Sequence, residues 1–298
     1  MPLTICAQAV STPNKSAKLV SMAGPVAAPT VIIEASRGFS LDLPSTWEYR
    51  ELVYFMVWRD LKTRYKQTAI GVGWALAQPF VTMVMFTVVF AHFARMPSEG
   101  LPYPLFAFTG LLPWIYFSQA VGRSGAGLVS NANLISKVYF PRLIIPLAAA
   151  ATPLVDLLLA FVVLLGLMAW YGVAPPVSAI LLPSFVAMAF AAAMALGLWL
   201  SALNVRYRDV GHIIPFLLQI GMYASPVAYP VRLVPSPWRG FYSLNPMVTV
   251  IEGFRWCLLG APRPDLGVAT MSTVAIAVLF IGGLLYFKAS ERTLADLV

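Results

Sequence analysis

The chain of 298 residues is too apolar for an ordinary soluble domain. Apolar residues make up 59% of it and charged residues only 11%, whereas soluble domains contain about 45–50% and about 25% of these classes. The composition favours an all-α polytopic membrane protein and excludes disorder, a coiled coil or a disulfide scaffold for most of the chain. A net charge of +8 is typical here of cytoplasmic loops beside anionic headgroups rather than of nucleic-acid binding.

Residues 1–40 are rich in Ala, Ser, Thr and Pro and contain no apolar run long enough for the core of a signal peptide. We expect this segment to be a flexible cytoplasmic tail. The remaining residues, 41–298, are expected to form a single transmembrane domain.

Residues 45–66 have the pattern of a basic amphipathic helix. At 100° per residue, its aromatic and leucine side chains fall within about 60° of one another. These side chains are Trp47, Tyr54, Trp58, Leu61 and Tyr65. A helix of this kind lies in the membrane interface. It can serve as a surface anchor, as a docking surface for a cytosolic partner, or as both.

Six segments are apolar enough to cross the membrane, which takes about 20 helical residues for about 30 Å of hydrocarbon. They are roughly residues 70–94, 104–122, 143–171, 177–203, 210–230 and 266–287. With the N-terminus inside, most of the 20 lysines and arginines fall in internal segments. The positive-inside rule therefore predicts that both termini are cytoplasmic.

Two connecting segments have features of their own. Residues 123–142 are polar, and a short helix limited by Pro141 is expected within them on the cytoplasmic side.

Residues 231–265 form the longest external segment, in which Asn245 before a proline predicts a helix start and Gly260 a helix stop. This helix is too short to span and too apolar for a free loop, so a re-entrant or interfacial helix is expected. Glu252 and Arg255 lie three residues apart on it and could neutralise each other.

Residues suited to catalysis are scarce. The chain has no Gly-Lys pair and therefore no phosphate-binding P-loop, and its two histidines, His92 and His212, are far apart without a carboxylate pair. Neither an enzyme nor a metal site is predicted.

Asp156 is an acidic residue inside the third predicted span. It is either a proton relay or, as we favour, a structural acid hydrogen-bonded between helices.

The cluster Trp114, Tyr116 and Phe117 lies inside the second predicted span, away from the usual aromatic belt. Aromatic faces in a pore can stack on the apolar faces of sugar rings. The cluster is therefore a candidate channel lining for a glycan.

Seven blocks of the sequence, in order, resemble the membrane subunits of ABC polysaccharide exporters, the permeases that export O-antigen, capsule and teichoic acid chains. The blocks are RELVYFMVWRDLKTRYKQTAIGVGWALAQP, GLLPWIYF, NANLISKVYFPR, LNVRYRDV, YASPVAYP, YSLNPMVTVIEGFRW and ERTLADLV. The resemblance covers about residues 30–298, in order and without a large gap. None of them indicates which glycan is carried.

The resemblance implies a six-span permease in the bacterial inner membrane that works as a homodimer with two copies of a separate cytosolic ATPase. ATP and Mg²⁺ would bind to that partner, and no cofactor to this chain. The substrate would be a lipid-linked polysaccharide. Arg50, Arg59, Lys62 and Arg64 lie near the inner leaflet and could attract its phosphate headgroup or bind ordinary phospholipids.

The resemblance also implies three sets of site residues. The channel would be lined by Trp114, Tyr116, Phe117, Tyr223, Ser225 and Tyr229. A coupling helix at about 128–140 and the loop at 204–209 would contact the ATPase through Asn133, Leu134, Lys137, Tyr139, Arg206, Arg208 and Asp209. The segment 231–260 would form an external gate with Asn245, Glu252 and Arg255.

Three alternatives remain open at this point. The first is a permease of the same fold that exports a drug or a small lipid. The second is an ion-coupled secondary transporter that uses Asp156. The third is a multispan glycosyltransferase, for which Asp60 and Asp209 are the available acidic residues near the inner face.

Overall fold

The computed structural model describes residues 47–66 and 71–297, and every regular element within these ranges is helical. The predicted all-α class is therefore confirmed for the described part of the chain. The predicted tail, 1–40, and the first residues of the predicted interface helix lie outside the described residues.

The helices are numbered here in chain order. They are α1 (Arg50–Lys66), α2 (Gly71–Phe86), α3 (Tyr103–Ser130), α4 (Ala132–Ile135), α5 (Ile144–Trp170), α6 (Leu182–Arg206), α7 (Val210–Tyr223), α8 (Ser236–Tyr242), α9 (Pro246–Leu259) and α10 (Leu266–Leu297). A π-helical segment, Thr87–Phe93, extends α2, and short 3-10 turns, Val177–Leu181 and Val231–Leu233, precede α6 and α8.

Five helices in the described ranges are long and apolar enough to cross a membrane. They are Leu76–Phe93, Tyr103–Ser130, Ile144–Trp170, Val177–Arg206 and Leu266–Glu291. The remaining predicted span, 210–230, contains only the 14 residues of α7, which extend about 21 Å. Turns follow α7 because Pro226 and Pro230 lack the N–H that a helix requires. A sixth full-length span is therefore not confirmed.

The second span ends at Ser130 rather than near residue 122, so the predicted loop 123–142 begins eight residues later than expected. Its first residues are small and allow close helix packing. A Cβ at Gly125 would lie 3.3 Å from Leu200 Cβ on α6, and the Ser124 hydroxyl donates to the Pro146 carbonyl at 3.1 Å. The sequence RSGAG therefore marks a helix contact and not a turn.

Helix α3 lies at the centre of the bundle and packs against α5, α6 and α9. Its apolar window is 78% buried, whereas the windows in Leu76–Phe93 and Leu266–Glu291 are only 17% buried. These two outer helices therefore present apolar faces to lipid or to another chain.

Contacts at the two ends of α3 define the two ends of the bundle. The Tyr103 hydroxyl donates to the Ala228 carbonyl at 2.8 Å, in the segment that precedes α8 and α9; we call this the α9 end. Just beyond the other terminus of α3, Asn131 accepts a hydrogen bond from Arg59 at 3.1 Å; we call this the α4 end. The Asn204 amide, which donates to the Gly125 carbonyl at 2.9 Å, places the end of α6 there too.

Trp199 joins α6 to α10. Its indole N–H donates to the Leu279 carbonyl at 3.0 Å, and its ring stacks on Tyr286 with centroids 4.9 Å apart. Gly283 makes this approach possible, because a Cβ there would lie 2.8 Å from Trp199 and 2.9 Å from the Ala195 carbonyl oxygen.

Gly283→Ala is therefore expected to lower the melting temperature of the purified protein, since the backbone of α6 cannot move aside for the new methyl group. The matched control is Gly166→Ala in α5, where a Cβ meets no atom of the described residues within 4 Å. The control should be neutral or slightly stabilising because Ala favours a helix by about 1 kcal/mol over Gly. Equal melting temperatures for the two variants would contradict the packing described.

Candidate functional site

Helix α1 has three distinct faces. Helix α1 packs on α5, and one of its faces carries the buried Met56 and the half-buried Val53. A second face exposes Tyr54 and Trp58, in line with the predicted aromatic stripe, although Leu61 and Tyr65 at its end are half-buried. The basic side chains of Arg50, Arg59, Lys62 and Lys66 are exposed on the remaining surface. This division fits a helix that adheres to the bundle while it lies in a membrane interface.

The end of α1 is bound to a carboxylate inside the third span. Arg64 Nη1 donates to Asp156 Oδ2, and the Tyr65 hydroxyl donates to Asp156 Oδ1. The side chain of Asp156 is only 10% exposed and that of Arg64 is 31% exposed. Burial, together with the hydrogen bond to this carboxylate, raises the pKa of Tyr65 to about 12, so the phenol stays a donor at neutral pH. The interhelix hydrogen bonds predicted for Asp156 are present.

A narrow cleft opens beside this cluster. Its polar wall consists of Arg64, Asp156, Gln78 and Gln119, and its other walls are apolar side chains of α3 and α5 and the prolines of α2 and α5. The Gln119 Oε1 atom is buried and accepts no hydrogen bond from any described residue. The sequence contained no signal for this cleft, because its walls come from four helices far apart in the chain.

The three aromatic residues predicted to line a channel from α3 are buried within this chain. Trp114 packs against α7, where a Cβ on Gly221 would lie 2.9 Å from its ring. Trp114 also contacts Phe117, with centroids 5.4 Å apart. Tyr116 donates to the Ala150 carbonyl at 3.3 Å and lines the cleft. The channel role of these residues stays a prediction.

The other three candidate channel residues lie at the end of α7 and in the turn after it, at the α9 end of the bundle. Tyr223 is exposed, and its carbonyl accepts from the Tyr229 hydroxyl at 3.0 Å. Tyr229 in turn accepts from Tyr242 at 3.1 Å. Ser225 is buried, and its hydroxyl accepts from the Asn245 amide at 2.9 Å. The turn after α7 is thus attached to the start of α9.

Helix α9 begins and ends where the sequence predicts. The Asn245 side chain accepts from the Met247 N–H at 3.0 Å, which caps the first turn. Gly260 ends the helix with φ +68°, a left-handed conformation that favours glycine.

Arg255 makes hydrogen bonds that the sequence did not predict. It forms no ion pair with Glu252 among the described contacts. Its guanidinium instead donates to the Val227 carbonyl at 2.7 Å and to the Phe106 carbonyl at 3.4 Å, and it lies over the Phe106 ring. A Cβ on Gly110 would lie 2.7 Å from the guanidinium, so this glycine makes room for it. Two backbone carbonyls therefore accept the hydrogen bonds of this buried guanidinium.

The residues predicted to contact an ATPase lie at the α4 end. Helix α4 is only four residues long, because 128–130 belong to α3. Six of the seven predicted contact residues are exposed and Leu134 is half-buried; the exposed six are Asn133, Lys137, Tyr139, Arg206, Arg208 and Asp209. Asn131 does not cap α4 with its side chain.

The predicted headgroup residues divide into two pairs. Arg59 pairs with Asp60 at 2.9 Å and donates to Asn131, and Arg64 binds Asp156. Arg50 and Lys62 are exposed on the surface of α1. The hydrogen bond from Arg59 to Asn131 thus links α1 to the residue before α4. The sequence analysis did not predict this link.

Residues 51–259 match the family model described as "ABC-2 type transporter". The chain belongs to the ABC-2 type transporter family. It is 31% identical to the O-antigen export system permease protein RfbA of Myxococcus xanthus over 79% of this chain and 90% of that protein. It is 24% identical to an RfbA of Klebsiella pneumoniae over 83% of this chain and 95% of that protein. It is 23% identical to the polysialic acid transport protein KpsM of Escherichia coli over 80% of this chain and 93% of that protein. The predicted family is confirmed, and the ABC-2 chain is a multi-pass transport protein.

Removal of Asp156 should destabilise the folded chain. Asp156→Leu leaves Arg64 half-buried without its carboxylate, at a cost of about 1–3 kcal/mol, below the value for a fully buried pair because Arg64 reaches solvent. The double variant Arg64→Met, Asp156→Leu removes both charges and should regain most of the loss in a thermal melt. If the double variant is no more stable than Asp156→Leu alone, the two residues are not coupled.

The stability of the α9 end should depend on pH through Glu252. Burial raises the pKa of Glu252 to about 7 from 4.5, an effect that the nearby Arg255 partly opposes. The folded state favours the neutral form of the Glu252 carboxyl. The contribution of this group to the stability of the folded protein is therefore full below pH 4.5 and is lost as the pH rises through 7. Glu252→Gln should therefore stabilise the folded protein at pH 8 by on the order of 2 kcal/mol, which a higher melting temperature would show. At pH 5 the substitution should change the melting temperature little. An equal effect at both pH values would contradict this assignment.

Proposed function

We propose that this ABC-2 chain is the channel-forming subunit of an ATP-driven exporter that moves lipid-linked polysaccharide across a bacterial inner membrane. The observation that carries the proposal is the similarity, over nine-tenths or more of their lengths, to proteins named O-antigen export permease and polysialic acid transport protein. Transport of a long hydrophilic chain is the property that those two names share.

The energy for transport comes from a separate ATPase, since the sequence has no P-loop of its own. ATP and Mg²⁺ bind to that partner, of which two copies serve two copies of this chain. The exposed residues of the α4 end support docking there, and Tyr139 is 75% exposed although it is aromatic. This end is the cytoplasmic one in the proposal.

The channel forms between two copies of the chain. Helix α7 supports this arrangement, because it exposes Phe216, Ile220 and Tyr223. An aromatic surface of this kind can stack on the apolar faces of sugar rings without tight binding. Trp114 lies directly behind it, against Gly221, so a change at Trp114 is transmitted to the surface of α7.

The two ends of the bundle have separate tasks in this proposal. At the α4 end, the exposed Arg50 and Lys62 attract the phosphate of the lipid-linked substrate at the inner leaflet. At the α9 end, the segment from α8 to α9 is the external gate. Asn245 attaches it to the turn after α7, and Arg255 attaches it to α3.

Depletion of this chain in its native host tests the proposal. We expect the lipid-linked glycan to be made at normal length but to be trapped on the cytoplasmic side. An impermeant glycan label would then stain permeabilised cells and not intact ones, and a plasmid copy of the chain would restore the surface label.

Two other outcomes would contradict the proposal. Loss of glycan synthesis, with feedback on synthesis excluded, would favour a membrane enzyme. An unchanged cell surface in every glycan would favour a permease for a drug or a small lipid.

A further inference from the structure

Helix α3 is buried along most of its length except for one narrow stripe. Between Leu105 and Leu128, the residues that are not fully buried fall in groups three or four positions apart, so they lie on one face of the helix. They are Ile115, Ser118, Gln119, Gly122, Arg123 and Ala126. The α3 surface that remains open is therefore this polar stripe, and not the buried cluster Trp114, Tyr116 and Phe117.

The stripe lies between α7 on one side and α1 and α2 on the other. A Cβ on Gly122 would lie 3.8 Å from Leu218 of α7. Gln119 borders the narrow cleft together with Arg64 of α1 and Gln78 of α2. Within the described ranges, α2 and α7 are not a closely packed pair. The stripe is thus the floor of a groove between these two helices.

The groove floor has the composition of a surface in contact with water. The outward face of α2 is apolar, with Phe80, Val84 and Val88 exposed, as a surface in contact with lipid would be. The floor instead carries Gln119 and Arg123. A charged side chain within a membrane span faces the bundle interior or a water-filled cavity, and it marks a pathway for a substrate or an ion. The groove therefore fits one wall of a channel.

Arg123 is the charged residue of this floor. It is half-buried and forms no hydrogen bond or ion pair with any residue that the structure describes. Its nitrogen atoms are not among the enclosed polar atoms, so an anion can reach them. The carboxylates that attract it, Asp156 and Asp60, are already paired with Arg64 and Arg59. The cluster therefore has one guanidinium more than it has carboxylates.

We propose that Arg123 binds the phosphate ester that joins the glycan to its lipid when the substrate enters the groove. The inference rests on the proposed function and adds to it a binding residue inside the channel. A guanidinium can donate two parallel hydrogen bonds to a phosphate, which makes arginine well suited to this group. Arg123 lies seven residues before the end of α3, or roughly 10 Å along the helix. A phosphate attracted by the exposed Arg50 and Lys62 would thus reach it by a short movement inward.

The capture experiment uses the full-length protein in cells that make their own surface glycan. The photocrosslinker p-benzoylphenylalanine is placed at position 126, about one turn after Arg123 on the same stripe. A second copy carries it at position 129, where Val129 is 46% exposed, in case the larger ring at position 126 disturbs folding. A control copy carries it at position 158, where Leu158 is 67% exposed on α5.

After illumination, the purified protein is analysed for attached glycan by periodate staining and for attached phospholipid by mass spectrometry. Ordinary phospholipids carry a phosphate ester too, and the two readouts separate them from the lipid-linked substrate. We expect glycan at positions 126 and 129, and phospholipid without glycan at position 158.

Substitutions of Arg123 in the copy with the crosslinker test the binding residue itself. Arg123→Gln removes the charge, and we expect the captured glycan to fall about tenfold, equivalent to about 1.4 kcal/mol, as for the loss of a hydrogen bond to a charged group. Arg123→Lys keeps the charge and should retain most of the capture. Arg95→Gln, the same change at an exposed residue in the connection before α3, should leave the capture unchanged.

Thermal melts of the purified variants distinguish a binding role from a structural one. Arg123 has no hydrogen bond or ion pair to lose within the described structure, so Arg123→Gln should melt at the temperature of the parent protein. Arg255→Gln, by contrast, loses two hydrogen bonds to backbone carbonyls and should melt at a lower temperature.

The inference is overturned if Arg123→Gln captures as much glycan as the parent does, or if it melts at as low a temperature as Arg255→Gln. It is also overturned if positions 126 and 129 capture phospholipid without glycan. When depletion of the chain nevertheless traps the glycan inside, each of these results leaves the proposed function intact. An unchanged surface after depletion would refute the proposed function as well.

Discussion

A carboxylate inside the hydrocarbon region has to be neutralised, and for Asp156 the partners are Arg64 and Tyr65 of α1. Much of the α4 half of the structure follows from this requirement. The pair holds α1 against α5, and with α1 in that position Arg59 reaches Asn131, next to the short helix α4. The same pair forms one wall of the cleft. Because both sides of the cluster carry charge, loss of one partner costs more than loss of both.

The opposite half of the bundle is held together in another way. Arg255 is buried, and it uses backbone carbonyls from α3 and from the turn after α7. The guanidinium of Arg255 thereby joins three segments that are far apart in the chain, namely α3, the turn after α7 and α9. Burial raises the pKa of Glu252, which has no ion pair to Arg255 among the described contacts, so we expect the stability of the α9 end to depend on pH.

Part of this arrangement could be predicted from the sequence. The third and fourth spans and the start and stop of α9 depend on neighbours along the chain, and each of these was predicted to within a few residues. The end of the second span was wrong, since small residues such as Ser124 and Gly125 have the composition of a turn but serve as a helix contact here. The neutralisation of Glu252 by Arg255 stays a prediction, and the hydrogen bonds of Arg255 to two backbone carbonyls were missed. Spacing on one helix cannot reveal that carbonyls of two other segments lie closer.

The sequence by itself determined the membrane class, most of the spans and the transporter family, because hydropathy, caps and ordered motifs are local properties of the chain. Only the tertiary structure decided what the charged residues do. Arg64 and Asp156 are 92 positions apart, and Arg255 and Phe106 are 149 apart. No periodicity encodes such distances, and a buried charge takes whichever partner the packing brings within hydrogen-bonding distance. The cleft and its buried Gln119 acceptor belong to the same category, since four helices must assemble before it exists.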